Sequence, residues 1–250
     1  MEIIKYKKTK GNLYELEIDN GTILKLYDDT IMYFSLLLNK KIDHQLLTEI
    51  TKYNDNLDAY YLSLNYLNKK MRSHQEIETY LKKKEFNQSV IDLTIKKLEQ
   101  DGYLNRQKFI TSYVNDQLNL TMNGPDKIKF NLIKLGFNED EIVIDYNFED
   151  KILKLIDKKV KLNKKLSNNA LKINVANYLV NLGYSKELFA NYLDDIRIDN
   201  LEMLKKDYNI LYKKYHQKYQ DNKLNLFIRD KLYKKGYNID EINEVINNDY

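Results

Sequence analysis

Few side chains in this sequence have the type and spacing that covalent chemistry needs. The three histidines, His44, His74 and His216, fall on different predicted elements and share no metal-ligand spacing. Cysteine is absent, which excludes disulfides, thiolate metal sites and a cysteine nucleophile. No glycine-rich phosphate loop, paired-carboxylate constellation or serine elbow occurs. The search for an active site therefore finds no starting point: no enzyme, catalytic residue, metal or cofactor is expected. What remains is binding chemistry, and it is cationic.

The 41 basic residues exceed the 37 acidic ones by only four, but they are unevenly spread. Residues 151–172 hold eight lysines against Asp157 alone, a local charge of +7. Residues 213–235 hold eight basic residues against Asp221 and Asp230, a local +6. Such concentrations attract nucleic acid or an acidic protein surface, although a solvated helix face gives the same pattern. Twenty-two tyrosines and no tryptophan, beside many Lys, Asn and Ile, fit an A/T-rich coding bias that itself adds lysines.

Only four basic residues are arginines, and one of them, Arg72, directly precedes Ser73-His74-Gln75-Glu76. That tetrad is a capping box, with Ser73 accepting from the Glu76 N–H and the Glu76 carboxylate reaching back to the Ser73 N–H. Lys82, Lys83 and Lys84 then fall in the last turn, where cations favour the helix dipole. Ser73 and Glu76 are explained by the cap. Arg72 has two readings, a planar fork for a partner or an intramolecular carboxylate pair.

The elements that must carry these groups are of two kinds. Residues 2–27 alternate as strands in EIIKYKK, NLYELEI and TILKLY, with turns at Lys10-Gly11 and Asp19-Asn20-Gly21. A helix is expected next, opened by Asp28 or Asp29 with Ile31, Phe34, Leu37 and Leu38 on its apolar face, and then another at HQLLTEITKY. Residues 1–55 read as a small β-containing domain.

From residue 57 the spacing is helical, and it repeats. Leu81, Leu132, Leu179 and Leu232 are each followed five residues later by a ring (Phe86, Phe137, Tyr184, Tyr237). Five further on stands Ile91, Ile142, Phe189 or Ile242. The leucines are 51, 47 and 53 residues apart, a period of helical-repeat proteins. Gly136, Gly183 and Gly236 precede three of the rings, where a left-handed residue ends a helix, and Glu85 takes that place in the first copy. Asn87, Asn138, Ser185 or Asn238 is then placed to cap the next helix. An upstream helix carries Leu57, Tyr61, Leu64 and Leu67 in the first unit and Ile110, Tyr113, Val114 and Leu118 in the second. Ile152, Ile156 and Val160 mark it in the third, and Leu201, Leu204, Tyr208, Leu211 and Tyr215 in the fourth.

Three helices per unit predict about twelve, in repeats at 56–104, 105–148, 149–198 and 199–250. The fold class is mainly α: tandem three-helix repeats in an elongated curved array, after the small three-strand and helix domain. The one proline, Pro125 after Gly124, suits the first turn of a helix. One buried anchor contributes about 1.5–3 kcal/mol, too little for a lone unit, so units must stack.

These residues resemble the RecX family of recombination regulators. The resemblance runs through Arg72-Ser73-x-x-Glu76-Ile77, Leu81, Lys84, Phe86, Gly102-Tyr103 and Phe109. It continues through Gly124-Pro125, Ile128, Leu132 and Gly136-Phe137, close to the whole chain. The chain departs from the family at Leu104-Asn105-Arg106-Gln107-Lys108, where acidic residues are usual, at Ile110 in place of Ala, and at Lys127 in place of Arg.

The resemblance implies a regulator in homologous recombination, DNA repair and the SOS response. It would bind RecA, free or as a filament on single-stranded DNA, and limit filament extension and activity. Single-stranded DNA is a further candidate partner, and a monomer is expected. The alternative is a helical-repeat DNA-binding or scaffold module without RecA specificity. On either reading the contact candidates are Lys69, Lys70, Arg72, Lys82, Lys83, Lys127, Lys158, Lys159, Lys161, Lys164, Lys165, Lys213, Lys214, Lys218, Arg229 and Lys234. No run of apolar residues is long enough to span a membrane and the start lacks a signal-type apolar segment, so a cytoplasmic location is expected.

Overall fold

The computed structural model describes residues 1–248. They form three strands, twelve α-helices and two 3-10 turns, so the chain is mainly helical, as its periodicity implies. Two compact bodies are present. One holds residues 1–113 with 132–141; the other holds residues 114–131 and everything described from Ile142 onward.

In the first body β1 (Ile3–Lys8), β2 (Leu13–Ile18) and β3 (Ile23–Tyr27) form an antiparallel sheet in that order. Gly11 and Gly21 take φ of 64° and 82° in the two connecting turns. Ile3, Leu16 and Leu26 point inward against Ile31, Leu36, Ile42 and Ile50. The outer edge of β3 is closed by one side chain: Asn54 Oδ1 accepts from the Tyr27 N–H at 2.9 Å, and its Nδ2 donates to the Lys25 carbonyl at 3.2 Å. An amide used in this way stands in for a neighbouring strand.

The helix after the sheet is shorter than its apolar residues suggest. α1 spans only Asp28–Tyr33, because Ser35 turns left-handed (φ 51°) and the Leu36 N–H closes onto the Ile31 carbonyl at 2.9 Å. That closure folds Leu36 into the core and leaves Leu37 and Leu38 62% and 85% exposed, against the expected face. Met32 and Tyr33 are also exposed.

α2 (His44–Leu67) is one 24-residue helix, capped by Asp43, and it runs straight through the position expected to divide domains at 55/56. Its first half covers the sheet with Ile50. Its second half buries Ala59 and Ser63, not Leu57 or Tyr61, against α3 (His74–Lys82) and α4 (Gln88–Gln100). Small residues there let the helices approach closely.

Next come α5 (Arg106–Leu120), α6 (Pro125–Lys134) with Pro125 in its first turn, α7 (Glu149–Leu162) and α8 (Asn168–Asn181). α9 (Ala190–Asp194), α10 (Leu201–Tyr215), α11 (Asp221–Lys234) and α12 (Ile239–Asn248) complete the chain. The first and last triplets, α2–α4 and α10–α12, have three full helices. In the second the third member is only a 3-10 turn, Glu139–Glu141. The β-branched run Ile142-Val143-Ile144 that follows has low helix propensity. In the third triplet a 3-10 turn (Lys186–Leu188) and the short α9 flank Phe189, whose φ of −133° breaks the helix.

The repeated turn has the same geometry four times. Glu85, Gly136, Gly183 and Gly236 have φ of 66°, 87°, 85° and 88°. The ring residue after each donates its N–H to the carbonyl of Leu81, Leu132, Leu179 or Leu232, at 3.3, 3.2, 3.1 and 3.3 Å. All four leucines are fully buried, as are Phe137, Tyr184 and Tyr237; Phe86 is partly so. The caps after the turn vary. Asn87 Oδ1 accepts from the Val90 N–H and Asn238 Oδ1 from the Asp240 N–H. Ser185 makes no cap, and at Asn138 it is the backbone N–H that donates, to Glu141.

Three of the turns have a second task, which accounts for their glycines. A Cβ on Gly183 would lie 2.4 Å from Lys127 Cβ and 2.5 Å from its backbone nitrogen, at the start of α6. There the Gly124 N–H donates to the Leu182 carbonyl at 2.7 Å and the Asp126 N–H to the Gly183 carbonyl at 3.1 Å. The free amides of one helix start thus meet the free carbonyls of another helix end. Gly236 repeats the contact on the start of α8: its Cβ would sit 2.8 Å from Ser167 Oγ, whose hydroxyl donates to the Lys235 carbonyl at 2.8 Å. A Cβ on Gly136 would lie 3.0 Å from Oε1 of Gln75, in the first turn of α3. Glu85 is exposed, so a side chain there meets only the backbone penalty.

Two predictions follow from this difference. Glu85→Gly removes a left-handed non-glycine and should stabilise the protein by about 1 kcal/mol; an unchanged or lower urea midpoint contradicts the geometry. Gly102 has φ +77° with nothing within 4 Å of its Cβ, whereas Gly183 meets backbone. Gly102→Ala should therefore cost about 1 kcal/mol and Gly183→Ala about 3 kcal/mol or more in the same titration. Equal losses would remove the joint from the account.

Candidate interaction surface

Arg72 is held inside the first body. Its guanidinium lies 3.8 Å from the centre of the Tyr66 ring, which stacks on Tyr80 at 4.3 Å, and its Nη1 donates to Glu76 Oε1 at 3.0 Å. The same Glu76 closes the capping box, accepting from the Ser73 N–H while its own N–H donates to Ser73 Oγ. Of the two readings of Arg72, the intramolecular pair is the one present. Lys70 joins the same carboxylate at 3.6 Å, and Lys69 is exposed beside it. Lys82 pairs with Glu78 at 2.7 Å, while exposed Lys83 lines an open cleft with Thr79, Tyr80 and Gln75.

Arg106 performs a similar internal task. Its Nε donates to Glu141 Oε1 at 2.7 Å, its Nη2 donates to the Gly136 carbonyl at 3.1 Å, and its plane covers the Phe137 ring at 4.8 Å. The guanidinium, and then the Asn138 N–H, hold the Glu141 carboxyl down to about 2. The Arg106 fork ties the start of α5 to the closing turn of α6. A lone arginine before a buried aromatic was the signal available in the sequence.

In the second body the basic row at 151–172 divides. Lys151 is buried, and its ammonium donates to the carbonyls of Leu118 and Thr121 at the end of α5. Burial lowers its pKa. Lys161 pairs with Asp157 at 2.7 Å, and Lys172 approaches Asp194 at 3.9 Å. Of the five that remain, Lys154 is exposed and lines neither of two adjoining clefts, while Lys158, Lys159, Lys164 and Lys165 line one open cleft of about 680 Å³ between the end of α7 and the face of α8. An adjoining cleft of about 450 Å³ shares Lys164, Lys165 and Leu166 with it and adds Lys206 and Lys235. Those two lysines complete the cationic rim from α10 and the end of α11. Lys206 lies outside both charge rows, and only the fold brings it here.

The remaining candidates do not line these clefts. Lys127 is partly buried at the start of α6, beneath Gly183. Lys213, Lys214 and Lys218 are exposed around the end of α10, where Lys214 and Lys218 lie near the rings of Tyr215 and Tyr219. Lys234 pairs with Asp230 at 2.7 Å, and Arg229 is partly buried. Among the described residues, no group of three or more His, Asp or Glu is placed to hold a metal ion, and no helix is long and apolar enough to cross a membrane. The exposed lysines can attract negative charge, on a scaffold in which Arg72 and Arg106 are used internally.

Comparison with known proteins gives this scaffold its place. Residues 59–98 match the model of the RecX first three-helix domain. A regulatory protein RecX of Bacillus cereus (strain G9842) is 32% identical, with 97% of this chain and 94% of that protein aligned. A regulatory protein RecX of Bacillus mycoides (strain KBAB4) is 30% identical over the same shares, 97% and 94%. A crystal structure of a regulatory protein RecX superposes with a TM-score of 0.65 at 20% identity, covering 78% of this chain and 100% of that one. With the repeated turns, the capped α3 and near end-to-end similarity in agreement, this chain belongs to the RecX family of regulatory proteins.

Proposed function

We propose that this protein is a non-enzymatic regulator of homologous recombination that binds RecA, free or as a filament on single-stranded DNA, and limits filament extension. The observation that carries the reading is the match to proteins named as RecX regulators over 97% of the chain at 32% identity. The surface supports it. Exposed lysines grouped along open clefts suit many weak contacts to a repeating polymer, which add through effective concentration. The location this implies is cytoplasmic, and the protein acts as a monomer along the filament. The contacts fall at the lysines of the two clefts, with Lys69, Lys83, Lys213, Lys214 and Lys218 as further contributors.

The test is RecA-dependent ATP hydrolysis on single-stranded DNA. Suppression is expected at ratios well below one regulator per RecA, because blocking a growing end needs few molecules. Suppression that requires enough protein to cover the DNA would instead favour a module that sequesters DNA without RecA specificity. Replacing Lys158, Lys159, Lys161, Lys164 and Lys165 together with Gln should weaken inhibition about tenfold or more at low salt, with helicity unchanged by circular dichroism. Undiminished inhibition by that variant removes this patch from the interface.

A further inference from the structure

Charge alone does not decide what the two adjoining clefts of the second body receive, but their lining does. Lys158, Lys164, Lys165 and Lys206 form no ion pair with another described residue, so the rim holds four uncompensated cations on exposed side chains. Lys235 is balanced by Asp207 at 2.9 Å. Besides the lysines, the lining holds Leu162, Leu166 and Leu171 with Asn163 and Asn174 in one cleft, and Leu166 and Met203 with Ser167 and Asp207 in the other. Leu162 is 66% exposed at the end of α7, in the cleft that also carries Lys158, Lys164 and Lys165.

Single-stranded nucleic acid needs cations for its phosphates and open ring faces for its bases. The clefts offer the first and not the second. Their two aromatic residues are Tyr178, whose face is occupied by the Lys159 ammonium at 4.1 Å, and Tyr237, which is buried. A base entering here would meet leucine, methionine and asparagine side chains in place of a row of open rings. A chain with carboxylates at the rim and aliphatic or aromatic side chains between them would satisfy both layers at once.

We infer that the clefts along the Lys158–Leu166 segment are a docking site for an acidic peptide with spaced apolar side chains. The carboxylates meet Lys158, Lys164, Lys165 and Lys206, and the apolar side chains cover Leu162, Leu166 and Met203. Charge brings such a peptide in, and the apolar floor supplies selectivity against other polyanions. The site serves a protein partner, and it stands whichever protein carries the peptide, so its test involves no RecA.

Fluorescence anisotropy of the full chain decides the matter with three labelled probes. One is a short Glu/Asp-rich peptide carrying Leu and Phe at every third or fourth position. The second is the same peptide with Gln and Asn for its acids, and the third is an oligothymidine of equal charge. The acidic peptide should bind best. Its affinity should fall about tenfold or more both in the Lys164→Gln, Lys165→Gln, Lys206→Gln triple variant and in Leu162→Ser. All four positions are exposed, and an unchanged melting curve confirms that each variant is folded. Leu162→Ser carries the distinction, since loss of an aliphatic floor leaves oligothymidine binding unchanged. Absence of acidic-peptide binding, binding indifferent to both variants, or tighter binding of oligothymidine would each overturn the assignment. Equal binding of the Gln/Asn peptide would do the same.

Discussion

A helix begins with amide groups and ends with carbonyl groups that it cannot satisfy itself. This chain is organised around pairing those two sets with each other. At the end of α8 the carbonyls of Leu182 and Gly183 accept from the Gly124 and Asp126 N–H groups that open α6. The contact is backbone to backbone, so both glycines must be bare: a Cβ on Gly124 would stand 2.3 Å from the Gly183 oxygen. Pro125, which has no N–H, sits between the two donors, where none is needed. Opposed helix ends also bring the positive end of one dipole to the negative end of the other, a contribution of the same sign. The joint on the start of α8 replaces one backbone donor with the Ser167 hydroxyl, and the turn of Gly136 is closed by Arg106.

From that constraint it follows that few positions fix the fold. A unit requires its leucine, its ring and a residue able to turn left-handed. The caps themselves vary from Asn87 to Asn238 and fail at Ser185 without loss of the turn. Most of the surface is then unconstrained by folding. A TM-score of 0.65 with a solved RecX structure at only 20% identity is what such an economy of constraints should give.

The turn was legible in the sequence because its signals are local: a glycine after the helical leucine, a ring, then Asn or Ser. Even the left-handed state of Glu85 could be read from its place in the series. The length of α1 was not, because apolar spacing alone does not reveal that Ser35 would turn and bury Leu36 in place of Leu37. Nor was the continuity of α2, where the change from sheet-covering to helix-packing residues looks like a boundary but interrupts no hydrogen bond. The buried state of Lys151 depends on α5 ending opposite it, and the lysine rim depends on α10 carrying Lys206 to the 164–166 loop. Both are tertiary facts with no local signature.

The division of labour between arginine and lysine connects fold to function. Arg72 and Arg106 each cover a ring and grip a carboxylate, tasks for which a planar fork is suited and an ammonium is not. Most lysines are left at the surface, where the hydrated point charge attracts strongly at a distance and holds weakly at contact. That combination suits reversible contact with an acidic partner. Stability resides in helix ends, rings and internal arginines, so the exposed lysines and the leucine among them are free to be arranged for a partner. Leu162, mostly exposed among uncompensated cations, belongs to that free surface.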